Sequence, residues 1–328
     1  MLIPPKYFLT PKISQLLSSI EASKEVIDSV SIPPLIEQNI RRASTLRSSL
    51  FSARIEGNPL TMEEIPHLPS KDQKKVEVYN ILKALNWIHE RSLRDIYLKD
   101  VLTLHSLALR GIVDPDDLGK FRTTHEAIFT SSGIPIFHAP PPSQIDKMLQ
   151  KLLRYINSSK EPLVPIRAVL AHYTFEKIHP FVDGSGRVGR LLIQIVLAKG
   201  GYGLKGILPL EEKIDQKRET YYKMLEEPER DVTDYVEFML ELISEAANQT
   251  KEVILEKRQV EPEDLLLPRR AEIYKIIKDQ TLINFNSIKR RFLKVNERTL
   301  RYDLKKLQEA RFIKKLGTTK GVYYKPAD

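Results

Sequence analysis

The stretch RVGRLLIQIVLAKGG, residues 187–201, reads as a helix that is apolar on nearly every side. Such a helix cannot lie on a surface; it must run through the centre of a domain, with other elements wrapped around it. The rest of the chain offers wrapping of the same kind. Most segments repeat apolar residues at three- and four-residue spacing and strand signals are scarce, so the expected fold class is mainly α. Helices are expected at about 73–93, 97–109, 143–156, 165–178, 187–199, 216–224 and 232–258. A further long helix lies in SIPPLIEQNIRRASTLRSSLFSARIEGNP, with Leu35, Ile36, Ile40, Ala43, Leu46 and Leu50 as its stripe; Gly57 stops it and Pro59 prevents continuation. One stretch breaks the pattern. EAIFTSSGIPIFHAPPP (126–142) sets β-branched and aromatic residues around a Ser-Gly turn, which predicts a small hairpin.

A length of 328 residues suggests two or three domains. The chain contains no cysteine, which excludes disulfides and thiolate metal sites and makes a reducing cytoplasm its simplest home. It has no run of eighteen apolar residues and its first residues lack the shape of a signal peptide, so no membrane association is expected. The net charge of +9 is unevenly placed. Residues 269–328 hold 17 Lys/Arg against 6 Asp/Glu, a net of +11, while the other 268 residues hold 35 against 37. A compact basic segment beside a near-neutral body points to a polyanionic partner for the former. Between them, EKRQVEPEDLLLP (256–268) is charged and proline-bounded, as a linker would be.

The chemistry concentrates in HPFVDGSGRVGR, residues 179–190. The preceding helix must end at His179, because the residue before Pro180 resists helical geometry. Asp183-Gly184-Ser185-Gly186 then turns into the apolar helix, and glycines there let the backbone bend sharply and approach a ligand closely. A helix start presents unpaired amides and the positive end of the dipole, a ready anion site. Arg187 and Arg190 share the face of its first turn and can clamp further phosphate oxygens. Asp183 is the natural hard oxygen ligand for a magnesium ion shared with those phosphates. His179 is placed to take a proton from an attacking hydroxyl.

These twelve residues resemble the Fic family motif HPFx[DE]GNGRxxR, matching all but one of its specified positions. GKFR (119–122) resembles the family's G-x-[FY]-R segment, HAPPP (138–142) its proline-ended flap, and ETYYKMLEE the helix whose tyrosines approach the nucleotide. The resemblance covers roughly residues 1–250 and implies a Fic helical core with a small β-hairpin flap. It implies transfer of AMP from ATP, with Mg²⁺, to a Ser, Thr or Tyr hydroxyl of a protein. His179 would be the general base and Asp183 the metal ligand. Gly184, Ser185 and Gly186 would bind phosphate through their amides, with Arg187 assisting and Arg190 on the γ-phosphate. Val188 and Gly189 complete the nucleotide-binding segment, and Tyr221 and Tyr222 would approach the nucleotide. Phe181 would be a core anchor. The departure is Ser185, where the family prefers Asn: the backbone amide is kept and the longer side chain lost.

Ser52 and Glu56 lie four apart on one helix face. SARIEG resembles the family's inhibitory motif [ST]xxxE[GN], which implies that the Glu56 carboxylate pairs with Arg190. An arginine fork already holding a carboxylate cannot also hold a γ-phosphate, so ATP would bind unproductively. An exposed strand over Ile134 to Ala139 would let a target segment add by backbone pairing.

In the basic tail, RRAEIYKIIKDQ, FNSIKRRFL and NERTLRYDLKKLQEARFI read as three helices. Asn296 is the N-cap of the third. Leu300, Leu304 and Leu307 form its buried stripe, leaving Arg298, Thr299, Arg301 and Lys305 outward. The closing Gly317 to Gly321 turn resembles the wing of a winged helix-turn-helix domain. An outward basic helix fits the major groove of duplex DNA, and docking to another protein is the alternative. The expected organisation is thus an N-terminal helical extension with the inhibitory helix (1–95), a Fic core (96–250), a linker (251–268) and a winged helix (269–328). By analogy with relatives that pair, a homodimer would suit a palindromic site. Two rival readings stay open: a DNA-binding regulator whose core only senses nucleotide, and a Fic transferase of UMP, phosphate or phosphocholine.

Overall fold

The computed structural model describes residues 2–90, 95–129, 135–226, 230–256, 263, 266–293, 295–317 and 321–327, with backbone alone over 127–129 and 135–138. The chain is mainly helical, and its elements run α1 (Pro11–Ser29), α2 (Pro34–Ile55), α3 (Gln73–His89), α4 (Leu98–Ala108), β1 (Ala127–Phe129), β2 (Pro135–His138), α5 (Pro142–Asn157), α6 (Val164–Ile178), α7 (Ser185–Lys199), α8 (Leu210–Gln216), α9 (Arg218–Glu226), α10 (Thr233–Glu256), α11 (Pro268–Gln280), β3 (Ile283–Asn284), α12 (Phe285–Arg291), α13 (Glu297–Glu309), β4 (Ile313–Leu316) and β5 (Tyr323–Pro326). They divide into two compact units, one of Met1–Ser31 with Ile40–Glu256, the other of Ile32–Asn39 with Lys257–Asp328.

In the first unit α6 and α7 form the centre. Val188, Leu191, Leu192, Ile193, Ile195 and Val196 of α7 are all buried, as the apolar run requires, and α6 is buried along almost its whole length. α3 and α4 pack against α7, and α5 and α10 against α6. α1 lies along α10 and is tied to it by polar contacts, Ser23 to Asn248 and Ser244 to Ser19. The hairpin is present: β1 and β2 pair antiparallel, with Ala127 opposite His138. Of the strand expected over Ile134 to Ala139, Ile134 lies outside the described residues and Pro135–His138 is β2.

Four features differ from the sequence reading. α1 was not expected; its buried Ile13, Ile20 and Ile27 recur every seven residues among serines that blur the pattern. The helix expected at 216–224 is α9, and α8, which precedes it and ends at Gln216, was not expected. Residues 251–256, placed above in both the helix at 232–258 and the linker, belong to α10, where Ile254 is buried. On α2 the buried face is more polar than the apolar stripe suggests: Thr45, Ser48, Ser49 and Ser52 are buried with Leu50 and Ala53, while Ala43 is exposed.

The second unit contains α11, α12 and α13 and a three-stranded antiparallel sheet in the order β3-β5-β4. Leu300, Leu304 and Leu307 of α13 join Ile273, Ile277, Ile288 and Ile313 in its core. Asn296 caps α13, its side chain accepting from the Arg298 amide. In the expected turn between Gly317 and Gly321, residues 318–320 lie outside the described residues.

Candidate active site

α6 ends at Ile178, and His179, its C-cap, adopts a left-handed backbone (φ 44°, ψ 66°). Gly184 (φ 90°) then caps the start of α7. These two residues bracket the turn and bring the imidazole, the Asp183 carboxylate and the first amides of α7 together. His179 Nδ1 is buried without a hydrogen-bond partner. Burial, reinforced by Arg122, holds the imidazole pKa below its ordinary value, against the opposing charges of Glu56 and Glu126. The ring is therefore neutral at physiological pH.

The turn is braced from inside. His105 Nδ1 accepts from the Gly119 amide (2.9 Å), so Nε2 carries the proton and donates to the Asp183 carbonyl (3.1 Å). The same ring stacks on Phe181 at 3.9 Å. Ser185 turns its hydroxyl inward, where it accepts from the Phe181 amide at 3.2 Å. Its contribution to an anion site is therefore its backbone amide, and its side chain serves the turn.

Both arginines are engaged by carboxylates. Arg190 is 1 % exposed; its Nε donates to Ser52 Oγ (3.0 Å) and its Nη2 to the Ser52 carbonyl (2.9 Å) and to Glu56 Oε1 (2.9 Å). Burial pulls this guanidinium toward neutrality, but Glu56 and the nearby phenols outweigh it and keep it protonated. Glu56 also lies over the helix start, since a Cβ built on Gly186 would sit 2.6 Å from Glu56 Oε1. Arg187 donates through Nη1 to Glu77 Oε1 (2.6 Å) and through Nη2 to Asp183 Oδ1 (2.5 Å). Glu77, on α3, also accepts from Asn58, two residues beyond Glu56.

The remaining expected nucleotide contacts separate. Tyr222, on α9, stands beside the end of α2 and donates to the Ile55 carbonyl (3.0 Å). Tyr221 does not reach the turn: it is fully buried, its phenol bonded to His172 Nε2 at 3.1 Å. Val188 has no exposed surface, and Gly189 lies against Glu176 and Phe175, so both are packing positions. Adjacent residues on a helix point in different directions, and a motif read as a continuous string does not resolve that. In the second unit Arg298, Arg301 and Lys305 are exposed and Thr299 half-buried. Arg301 lies 3.7 Å from Glu297 and over the Phe285 ring, and Lys305 lies 3.8 Å from Glu309.

Four residues at the site went unassigned in the sequence: Glu77, His105, Arg122 and Glu176. Arg122 had a signal in GKFR. The other three carry none, because their partners lie on other elements or, for Glu176, inside the core. Glu176 is buried beside Gly189 with Oε1 unpartnered, and burial raises its carboxyl to about 8.

Beside Asp183 is a cavity of about 200 Å³ lined by His105, Val113, Asp114, Asp117, Val182 and Asp183. A larger one, about 1210 Å³, lies elsewhere, among Ile96, Tyr97, Lys99, Lys151 and Arg154, and contains none of the motif residues. Among the described residues no group of three acids or imidazoles could hold a metal alone. Asp183 is half-exposed with one oxygen taken by Arg187, which suits a magnesium ion whose other ligands come from phosphates and water.

A central buried helix that starts at a charged glycine turn, with a neutral histidine on the helix before it, is the architecture of a Fic domain. Residues 95–197 match the Fic/DOC family. It is 29% identical over 236 residues to proteins named protein adenylyltransferase Fic from Drosophila sechellia and Drosophila melanogaster, covering 68% of this chain and 45% of theirs. The chain thus spans under half the length of those relatives. A solved Fic family protein from Desulfovibrio desulfuricans G20 aligns over 98% of both chains, at 27% identity and a TM-score of 0.67. Fic-1 of C. elegans aligns over 74% of this chain and 72% of its own at 22% identity and a TM-score of 0.61, a likeness of fold alone.

Proposed function

We propose that this protein is an autoinhibited adenylyltransferase that moves AMP from ATP to a Ser, Thr or Tyr hydroxyl of a protein. The observation that carries the reading is the double engagement of Glu56, on Arg190 and over Gly186. An acid guarding a guanidinium and a helix start guards an anion site. The Drosophila relatives, by their names, favour AMP as the group moved.

In the reaction the neutral His179 imidazole takes the hydroxyl proton as the target oxygen attacks the α-phosphorus. The bond to the β-bridging oxygen breaks, and pyrophosphate leaves with that electron pair. The first amides of α7 lie against the phosphates, and Arg190, once released by Glu56, meets the γ-phosphate. Asp183 would hold Mg²⁺, which supplies charge neutralisation on the phosphate oxygens. Positioning and electrostatics are the main catalytic terms in phosphate chemistry, so this set suffices in kind. With Glu56 in place, ATP has no guanidinium for its terminal phosphate.

Intact-mass spectrometry of the Glu56→Gly protein after incubation with ATP and Mg²⁺ tests the reading. A mass increase of one AMP is expected, on this chain or on an added target. An increase matching another group would select a different Fic transferase, and no covalent product would select the nucleotide-sensing regulator.

We propose further that the second unit is a winged helix that contacts duplex DNA. Support comes from Arg298, which is exposed near the start of α13 and has no ion pair among the described residues. Arg301 and Lys305 are partly compensated by their own helix. Salt-dependent retention of the full chain on duplex DNA tests this; failure to bind at low salt favours protein docking.

A further inference from the structure

Arg122 is 2 % exposed and, among the described residues, has no ion pair. Its donors go instead to carbonyls of three separate segments. Nε donates to the His179 carbonyl (2.7 Å), Nη1 to that of Thr124 (2.7 Å), and Nη2 to those of Pro140 (2.6 Å) and Ile178 (3.4 Å). Its backbone amide donates to the Pro180 carbonyl at 2.9 Å. A buried guanidinium whose hydrogen bonds all go to carbonyls is expensive, and burial pushes its pKa down against the opposing charge of Glu126. A lone structural link would be made more cheaply by a neutral amide.

The pattern of acceptors explains the expense. Ile178 and His179 end α6, where carbonyls lack intrahelical partners and the dipole favours a cation. His179 is also held in a left-handed conformation, which a non-glycine residue keeps only when its surroundings enforce it, at a cost of about 1–3 kcal/mol. Pro140 closes the root of the hairpin, where the Ala139 amide donates to the Glu126 carbonyl at 3.0 Å. One planar fork therefore fixes both the backbone carrying the imidazole and the segment leading into β2.

We propose that Arg122 is a positioning residue that locks His179 and the root of the β1–β2 hairpin into a single geometry, so that a target strand on the hairpin meets the imidazole at a fixed offset. The proposal rests on the reading of His179 as general base. Among the described residues Arg122 makes no hydrogen bond or ion pair to the first turn of α7 or its arginines, so its effect falls on turnover and not on nucleotide binding. It also adds a charge effect. The charged groups that act on His179 are Arg122, which disfavours the imidazolium, and Glu56 and Glu126, which favour it.

The test uses Arg122→Lys and Arg122→Met in the full-length Glu56→Gly protein, with folding checked by thermal unfolding. Arg122→Met is expected to lower kcat about 100-fold, the scale of a misplacement near 1 Å, with KM for ATP within about threefold. Arg122→Lys keeps the charge but not the fork, and is expected to recover about a tenth of the parent kcat. An NMR titration of labelled histidine, with His179 assigned by His179→Gln, should show the His179 pKa raised in Arg122→Met and unchanged in Arg122→Lys. A KM for ATP that rises as far as kcat falls, or a His179 titration unmoved by Arg122→Met, overturns the proposal. Should Arg122→Met not fold, Arg122→Lys decides by the split between kcat and KM. If the Glu56→Gly parent transfers nothing, the functional reading fails separately, and the titration still decides whether Arg122 acts on His179.

Discussion

Arg187 and Glu77, 110 residues apart, meet at 2.6 Å, and the same guanidinium reaches Asp183 on its other side. Both arginines of the motif are thus occupied by acids from the N-terminal region, Arg190 by Glu56 and Arg187 by Glu77. Asn58, two residues beyond Glu56 in the chain, donates through its side-chain amide to Glu77.

Removing the first acid should release the enzyme. Glu56→Gly is expected to raise AMP transfer about 5- to 150-fold, the usual span of a coupling of 1–3 kcal/mol. His179→Ala in that background should abolish it. Radiolabelled ATP and purified protein measure both, and equal labelling of wild type and Glu56→Gly would refute the inhibitory role.

Removing the second acid should act on nucleotide affinity. Glu77→Gln in the Glu56→Gly background frees Arg187 for the phosphates, and KM for ATP should fall about threefold to tenfold, the net worth of one ordinary hydrogen bond. Steady-state kinetics read this directly. A KM that rises instead would assign Glu77 to holding Arg187 in its working position.

Two glycines of α7 should respond to alanine by different amounts. At Gly189 the new Cβ would lie 1.9 Å from Glu176 Oε1, inside the core, and the cost should be about 1–3 kcal/mol. At Gly186 the obstacle is the tip of Glu56, a flexible and partly exposed side chain, so stability should change by less than about 1 kcal/mol. Urea denaturation of the two variants compares them.

Glu176 gives a pH dependence of opposite sign to that of a paired carboxylate. Its folded pKa is raised to about 8 by burial, against an ordinary value of 4.5. Between those values the unfolded chain loses a proton that the native protein keeps, so stability falls as pH rises through the window and levels off above it. Glu176→Gln removes this slope. Unfolding measured from pH 5 to 8 should show wild type losing stability relative to the variant; parallel curves would contradict the buried acid.

In the second unit, Arg298→Ala should weaken DNA binding about equally across sequences and reduce the salt slope by about one, the signature of a phosphate contact. Fluorescence anisotropy on labelled duplexes at several salt concentrations provides the slope.

The central helix and the hairpin were legible in the sequence because each rests on a local signal, an apolar run and a turn flanked by β-branched residues; the Glu56–Arg190 pair was legible only through the resemblance of SARIEG to a family motif. Glu77 was not, because nothing in QKKVEV marks one acid as the partner of an arginine 110 residues on. Tyr221 misled for a related reason. Adjacent tyrosines on α9 look equivalent in a string, yet one is buried on His172 and the other reaches Ile55. α1 was hidden by serines that bond to α10 and contribute no apolar signal.

Arg190 keeps its charge in a place water scarcely enters, and Glu56 is what makes this tolerable. Once that acid is withdrawn, the empty enzyme holds a solitary cation, and the phosphate tail of its own substrate becomes the natural counterion. On the proposed function, losing Glu56 should therefore make the protein more fragile without nucleotide and more strongly rescued by it, so that the acid proposed as a brake would double as a brace for the resting state.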